Sequence, residues 1–82
     1  MIDTVIITIM YEGCEEDFEV PAKVPIKSCE ESLKSALRVQ FPQMTLQGKK
    51  IRLKSAEGYL RPEYSLEQYG IYDGSILEIE VY

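Results

Sequence analysis

Cys14 and Cys29, with fourteen aspartate and glutamate side chains, are the residues of this 82-residue chain best suited to nucleophilic, redox or acid–base chemistry. Histidine, the commonest general base and metal ligand, is absent. No Cys-x-x-Cys pair, glycine-rich phosphate loop or nucleophile elbow occurs in the sequence. Cys14 stands among Glu12, Glu15 and Glu16, the reverse of the cationic surroundings that activate a thiol. The expectation is no enzyme: no catalytic residue, no cofactor and no metal ligand. Whether the two cysteines join depends on the elements that hold them.

TVIITIMY, residues 4 to 11, is rich in β-branched residues and reads as a strand, with Val5, Ile7 and Ile9 facing a core and Thr4, Ile6, Thr8 and Met10 facing away. EGCEED reads as a polar turn carrying Cys14, and FEV as the return strand of a hairpin, with Phe18 and Val20 inward. A helix starts between residues 25 and 28, at Pro25 or at a Ser28/Glu31 capping box. Its apolar stripe is Ile26, Cys29, Leu33, Ala36, Leu37 and Phe41, and Pro42 ends it. A strand's length, on the order of 20 Å, then separates the cysteines, too far for a disulfide. Two free thiols and a reducing compartment are expected.

A second hairpin follows, with Ile51 and Leu53 inward, a turn at Gly58 and a short strand carrying Leu60. Ser65 caps one tight helical turn anchored by Leu66, Tyr69 and Ile71, and Asp73-Gly74 reverses the chain. SILEIEVY then sets Leu77, Ile79 and Val81 against Ile76, Glu78 and Glu80. The most apolar strands, the first and the last, belong in the middle of one sheet with the helix across one face. The fold class is an α+β roll, ββαββ with a helical turn before the last strand, and residues 1–82 form one domain. The acidic stretch EEDFEVPAKV belongs at an edge, where charge and Pro21 discourage pairing with other chains.

Nine lysines and arginines against fourteen acids give a net charge of −5, which argues against nucleic acid and anionic membrane as partners. No apolar run approaches the ~20 residues of a membrane span, and Met1 leads into TVIITIM without a basic leader or cleavage site. A cytoplasmic location and no direct membrane insertion are expected.

The closing SLEQYGIYDGSILEIEV resembles the end of ubiquitin, and the element order is that of the ubiquitin-like β-grasp. VPAKVPIK, residues 20 to 27, and the Tyr-x-Ile-x-Asp-Gly-x-Ile-Leu pattern of Tyr69 to Leu77 resemble the YukD/EsaB proteins. These are ubiquitin-like accessory components of type VII secretion systems in Gram-positive bacteria. The likeness spans essentially the whole chain, and its motifs are structural rather than catalytic. It implies a non-covalent adaptor or regulator with a secretion component as protein partner, and a monomer or weak dimer is expected.

Two departures from ubiquitin bear on that expectation. Val81 and Tyr82 stand where ubiquitin and the sulfur carriers lead into a reactive Gly-Gly tail, so conjugation is not expected unless the native chain extends beyond Tyr82. Arg52 and Glu80 stand where ubiquitin exposes an apolar patch, so ubiquitin receptors should not bind. Arg52 with Glu80, and Lys54 with Glu78, are expected to pair across neighbouring strands, either as a plain solvated ladder or as a docking surface. Ile6 and Met10 complete the candidate interaction face, although single exposed apolar residues are normal on any surface. Tyr69 is expected in the core with its hydroxyl bonded to a loop carbonyl, and Tyr59, Tyr64 and Tyr72 at the surface. Two other readings stay open: the ubiquitin-like domain of a larger secretion membrane subunit, or a modifier or sulfur carrier with a Gly-Gly encoded further on.

Overall fold

The computed structural model describes residues 3–82, so the reading of the leader at Met1 falls partly outside the described residues. Strand β1 (Thr4–Tyr11) and strand β2 (Cys14–Pro21) form a hairpin in which Tyr11 stands opposite Cys14. Glu12 and Gly13 alone make the turn, with φ of 48° and 82°. Two successive left-handed residues twist the chain in the sense that matches paired strands, and glycine takes the second without strain. The expected six-residue polar turn is therefore corrected. β2 is a full eight residues, and Cys14 is its first residue. Its acids hid this length, because Glu15, Asp17 and Glu19 lie on the solvent side while only Phe18 and Val20 are buried.

A 3₁₀ turn (Ile26–Cys29) leads into helix α1 (Glu30–Gln40). The Ser28/Glu31 capping box does not form, since no side chain caps either segment and the Ser28 N–H donates to the Pro25 carbonyl at 2.9 Å. The tighter first turn satisfies the backbone without it. The apolar stripe is in place: Cys29, Leu33, Leu37 and Phe41 are buried, and Ile26 and Ala36 pack at their margin. The loop after α1 adds Met44 and Leu46 to the core.

Strand β3 (Ile51–Ser55) and the two-residue β4 (Gly58–Tyr59) make the second hairpin, and β5 (Ile76–Val81) closes the sheet. Leu60 lies just beyond β4, held to Leu53 by a backbone hydrogen bond of 2.8 Å. The strand order is β2-β1-β5-β3-β4, with β1 and β5 parallel and the other pairs antiparallel. The two most apolar strands thus occupy the centre, as their composition requires. Ile7 and Ile9 of β1 are fully buried beside Leu77 and Ile79 of β5.

The passage into β5 is built from side-chain hydrogen bonds. The Ser65 N–H donates to Gln68 Oε1 at 2.8 Å, and the Gln68 N–H donates to Ser65 Oγ at 3.2 Å, a reciprocal cap on the 3₁₀ turn Glu67–Tyr69. Asp73 Oδ1 then accepts the Ile6 N–H at 2.8 Å, and the Gly74 N–H donates to the Ile6 carbonyl at 2.9 Å. Among the described residues no helix is long and apolar enough to cross a membrane.

Both cysteines are free, Cys14 exposed and Cys29 buried. Burial pushes the Cys29 thiol above its ordinary pKa, aided by the neighbouring Glu30 charge and opposed by a backbone hydrogen bond. Ellman's reagent should titrate one thiol rapidly in the native protein and the second only on unfolding. Cys14→Ser should abolish the rapid phase, and a rapid phase surviving that change would place Cys29 at the surface.

Candidate functional site

Alternation along the strands carries all six residues of the expected interaction face to the side of the sheet away from α1. Register decides which of them meet. Arg52 of β3 lies directly opposite Glu80 of β5, and Lys54 lies opposite Glu78. Met10 of β1 is the parallel neighbour of Glu78, and Ile6 lies further along β1 opposite Glu19. Ile6 is 49% exposed and Met10 is half-buried.

One of the two expected charge pairs forms. Arg52 Nε donates to Glu80 Oε1 at 2.9 Å, and Nη2 reaches the same oxygen. Lys54 and Glu78 form no ion pair among the described residues. Lys54 Nζ instead lies 5.5 Å from the centre of the Tyr59 ring. The aromatic face competes for the ammonium where the carboxylate pair has little to offer in water.

Tyr59 and Tyr82 complete a cluster that the sequence reading did not assemble. The guanidinium carbon of Arg52 lies 4.0 Å from the Tyr59 ring centre and 4.9 Å from that of Tyr82. The Tyr59 hydroxyl donates to Glu80 Oε2 at 2.7 Å. Both carboxylate oxygens of Glu80 are thereby engaged, one by Arg52 and one by Tyr59. The signal in the sequence was the two-residue turn Ala56-Glu57, which places Tyr59 opposite Lys54, with β3 between it and Glu80. Tyr69 also differs from expectation: its hydroxyl accepts the Arg61 N–H at 2.7 Å rather than donating to a carbonyl.

These contacts set the protonation of the cluster. The Tyr59 hydroxyl, and then Arg52, hold the Glu80 carboxyl below its ordinary pKa. The hydrogen bond that each makes to Glu80 is the leading cause raising the pKa of Tyr59 and that of Arg52. A carboxyl depressed in the folded state stabilises the fold above its unfolded pKa, and the contribution fades as pH falls through the folded value. Tyr59→Phe should move the Glu80 midpoint back upward in a carboxyl-carbon NMR titration. An unchanged midpoint would show that Tyr59 does not hold it.

The arrangement offers no nucleophile beside a base, and among the described residues no group of histidine, cysteine, aspartate or glutamate side chains is placed to hold a metal. It offers a solvent-facing patch of charge and aromatic surface spread over β5, β3 and β4. Five strands in this order with one helix across them are the ubiquitin-like fold, and the chain is a ubiquitin-like domain with a charged and aromatic outer sheet face. A ubiquitin-like domain of EccD5 from Mycobacterium xenopi is similar at a TM-score of 0.82 and 21% identity, over 98% of this chain and 96% of that one. The ubiquitin-like domain of the Mycobacterium tuberculosis type VII secretion system protein ECCD1 is similar at 0.79 and 23%, over 94% and 97%. A chain of an ESX-5 inner membrane complex without MycP5 is similar at 0.76 and 19%, over 96% of this chain and 21% of that one. No curated protein matches the chain in sequence. The family model for protein YukD of the WXG100 protein secretion system (Wss) matches residues 4–79, and the chain belongs to the YukD family.

Proposed function

We propose that this domain is a non-covalent protein-interaction module, an accessory or regulatory component of a type VII secretion system, without catalytic, cofactor or metal chemistry of its own. It works on the cytoplasmic side, where a component of the secretion machinery docks on the outer sheet face of Ile6, Met10, Arg52, Lys54, Glu78 and Glu80. The carrying observation is the Arg52, Glu80, Tyr59 and Tyr82 cluster, whose polar groups are fixed on an exposed surface. Exposed pairs of this kind return little stability, so such a surface is better suited to recognition than to holding the fold. Membership of the YukD family supports the secretion setting.

The exchange R52E/E80R tests this. It keeps opposite charges face to face across β3 and β5 and inverts the pattern that a partner meets. Stability should stay nearly unchanged in urea unfolding. Affinity purification from the native cell should recover a secretion ATPase or membrane component with the original protein and much less with the exchanged one. Equal recovery would exclude this face. A second reading is that the domain is part of a larger secretion subunit; the similar ESX-5 chain, of which it covers 21%, favours it. A longer reading frame in the native gene would decide for that reading.

A further inference from the structure

A cleft of about 580 Å³ lies between the start of α1 and the first residues of β3. It exists because β4 pairs only with Lys54 and Ser55, leaving the earlier part of β3 uncovered on that side. Leu33 of α1 and Leu53 of β3 contribute to its apolar lining. Four of the chain's nine basic residues, Lys27, Lys34, Lys50 and Arg52, also line it, against one carboxylate, Glu30. In a chain of net charge −5 this is a marked local reversal of sign.

Two of the four cations are already engaged. Lys34 Nζ donates to the Lys49 carbonyl at 3.2 Å and lies 3.8 Å from Glu31, and Arg52 is held by Glu80. Among the described residues neither Lys27 nor Lys50 forms an ion pair. Their backbones are nevertheless pinned. The Lys27 N–H donates to the Pro62 carbonyl at 3.0 Å, and Lys50 exchanges two hydrogen bonds with Tyr82 at 2.7 and 2.9 Å. Two cleft-lining lysines without a carboxylate partner are therefore attached to fixed backbone, an arrangement that lowers the ordering cost of engaging a ligand.

We propose that this cleft is a docking site for an acidic segment of a partner protein, with one apolar side chain seated against the half-buried Ile26 and Ile51 and flanking carboxylates meeting Lys27 and Lys50. The apolar lining distinguishes such a segment from a bare anion, and the charge of the rim selects acidic over basic sequences. Lys27 and Lys50 take no part in the Arg52 and Glu80 ion pair, so their reversal tests the cleft with that pair in place, although Arg52, Tyr59 and Tyr82 border both surfaces.

The test is an amide NMR titration of the intact chain with an acetylated, amidated EELEE peptide. KKLKK and inorganic phosphate at equal concentration serve as comparisons. Saturable shifts are expected at residues 26–33 and 50–53 with EELEE alone, weakening as salt is raised. K27E/K50E should lower the affinity about tenfold or more, whereas Lys23→Glu, a reversal outside the cleft, should leave it unchanged. If K27E/K50E fails to show a native spectrum, the neutral pair K27Q/K50Q replaces it, with the same direction expected. No saturable shift in these segments, equal shifts with KKLKK or an unchanged affinity in the lysine variants would overturn the proposal. Phosphate reproducing the EELEE shifts would likewise overturn it, making the cleft a simple anion site.

Discussion

Phe41→Ala should lower the unfolding free energy by about 3–5 kcal/mol, the range for truncating a buried aromatic residue. Phe41 is 1% exposed, and its ring centre lies 5.8 Å from that of Tyr11 and 6.0 Å from that of Phe18. It joins the end of α1 to both strands of the first hairpin. Its backbone is also committed, since its N–H donates to the Leu37 carbonyl at 2.8 Å and its carbonyl accepts the Met44 N–H at 2.9 Å. The surroundings can therefore close only partly over the lost ring. A domain of this length has a total stability of roughly 4–12 kcal/mol, so the variant should be largely or wholly unfolded by mild urea. Phe41→Leu, which keeps most of the apolar volume, should cost much less. A loss under about 1 kcal/mol for the alanine variant, read from circular dichroism against urea, would show that Phe41 does not bridge these elements.

Asp73→Ala should cost about 1–3 kcal/mol, because it removes a charged acceptor from a backbone N–H of a central strand. Asp73 Oδ1 takes the Ile6 N–H, the Gly74 N–H donates to the Ile6 carbonyl, and the Thr8 N–H donates to the Ser75 carbonyl at 2.9 Å. The carboxylate thus stands in for a backbone carbonyl just before β5 begins, extending the parallel pairing of β1 and β5. Asp73→Asn retains an acceptor oxygen and should recover a substantial part of the loss. Hydrogen exchange offers the sharper reading: the Ile6 amide should lose protection in the alanine variant well beyond the global change. Protection at Ile6 falling only as much as at Leu77 would remove this special role from Asp73.

The fold was legible in the sequence where one residue's pattern implied one environment. β1 and β5 are apolar enough to require the centre of the sheet, and the stripe from Ile26 to Phe41 has helical spacing. The first turn is shorter than the sequence suggests because the acids of β2 look like turn residues when their apolar partners are only Phe18 and Val20. Ser28 carried a genuine capping signal, but a 3₁₀ start to the helix used its backbone differently. At the candidate face, Arg52 and Glu80 were legible from their matching positions on adjacent strands. Tyr59 and Tyr82 were not, since their approach to Arg52 depends on the length of a turn and on the pairing of Lys50 with Tyr82. Lys27 and Lys50 lie far apart in sequence and share the cleft only because the fold sets the 3₁₀ turn before α1 close to the first residues of β3. Side-chain reach added the last difference, drawing Lys54 to Tyr59 and leaving Glu78 without it.

The parallel pairing of Thr8 with Ile76 has a further consequence, in time rather than in space. Of the two strands at the heart of the sheet, β1 is synthesised well before β5, with all the other elements of the domain between them. A ribosome adding ~5–20 residues per second exposes β1 for seconds before β5 exists. During that interval the β1 and β2 hairpin must survive with its apolar face uncovered, and the central ladder can close only after a long loop has been brought together. The acids along β2 then protect the nascent chain at its most vulnerable stage, keeping an unfinished sheet apart from its neighbours until the closing strand arrives.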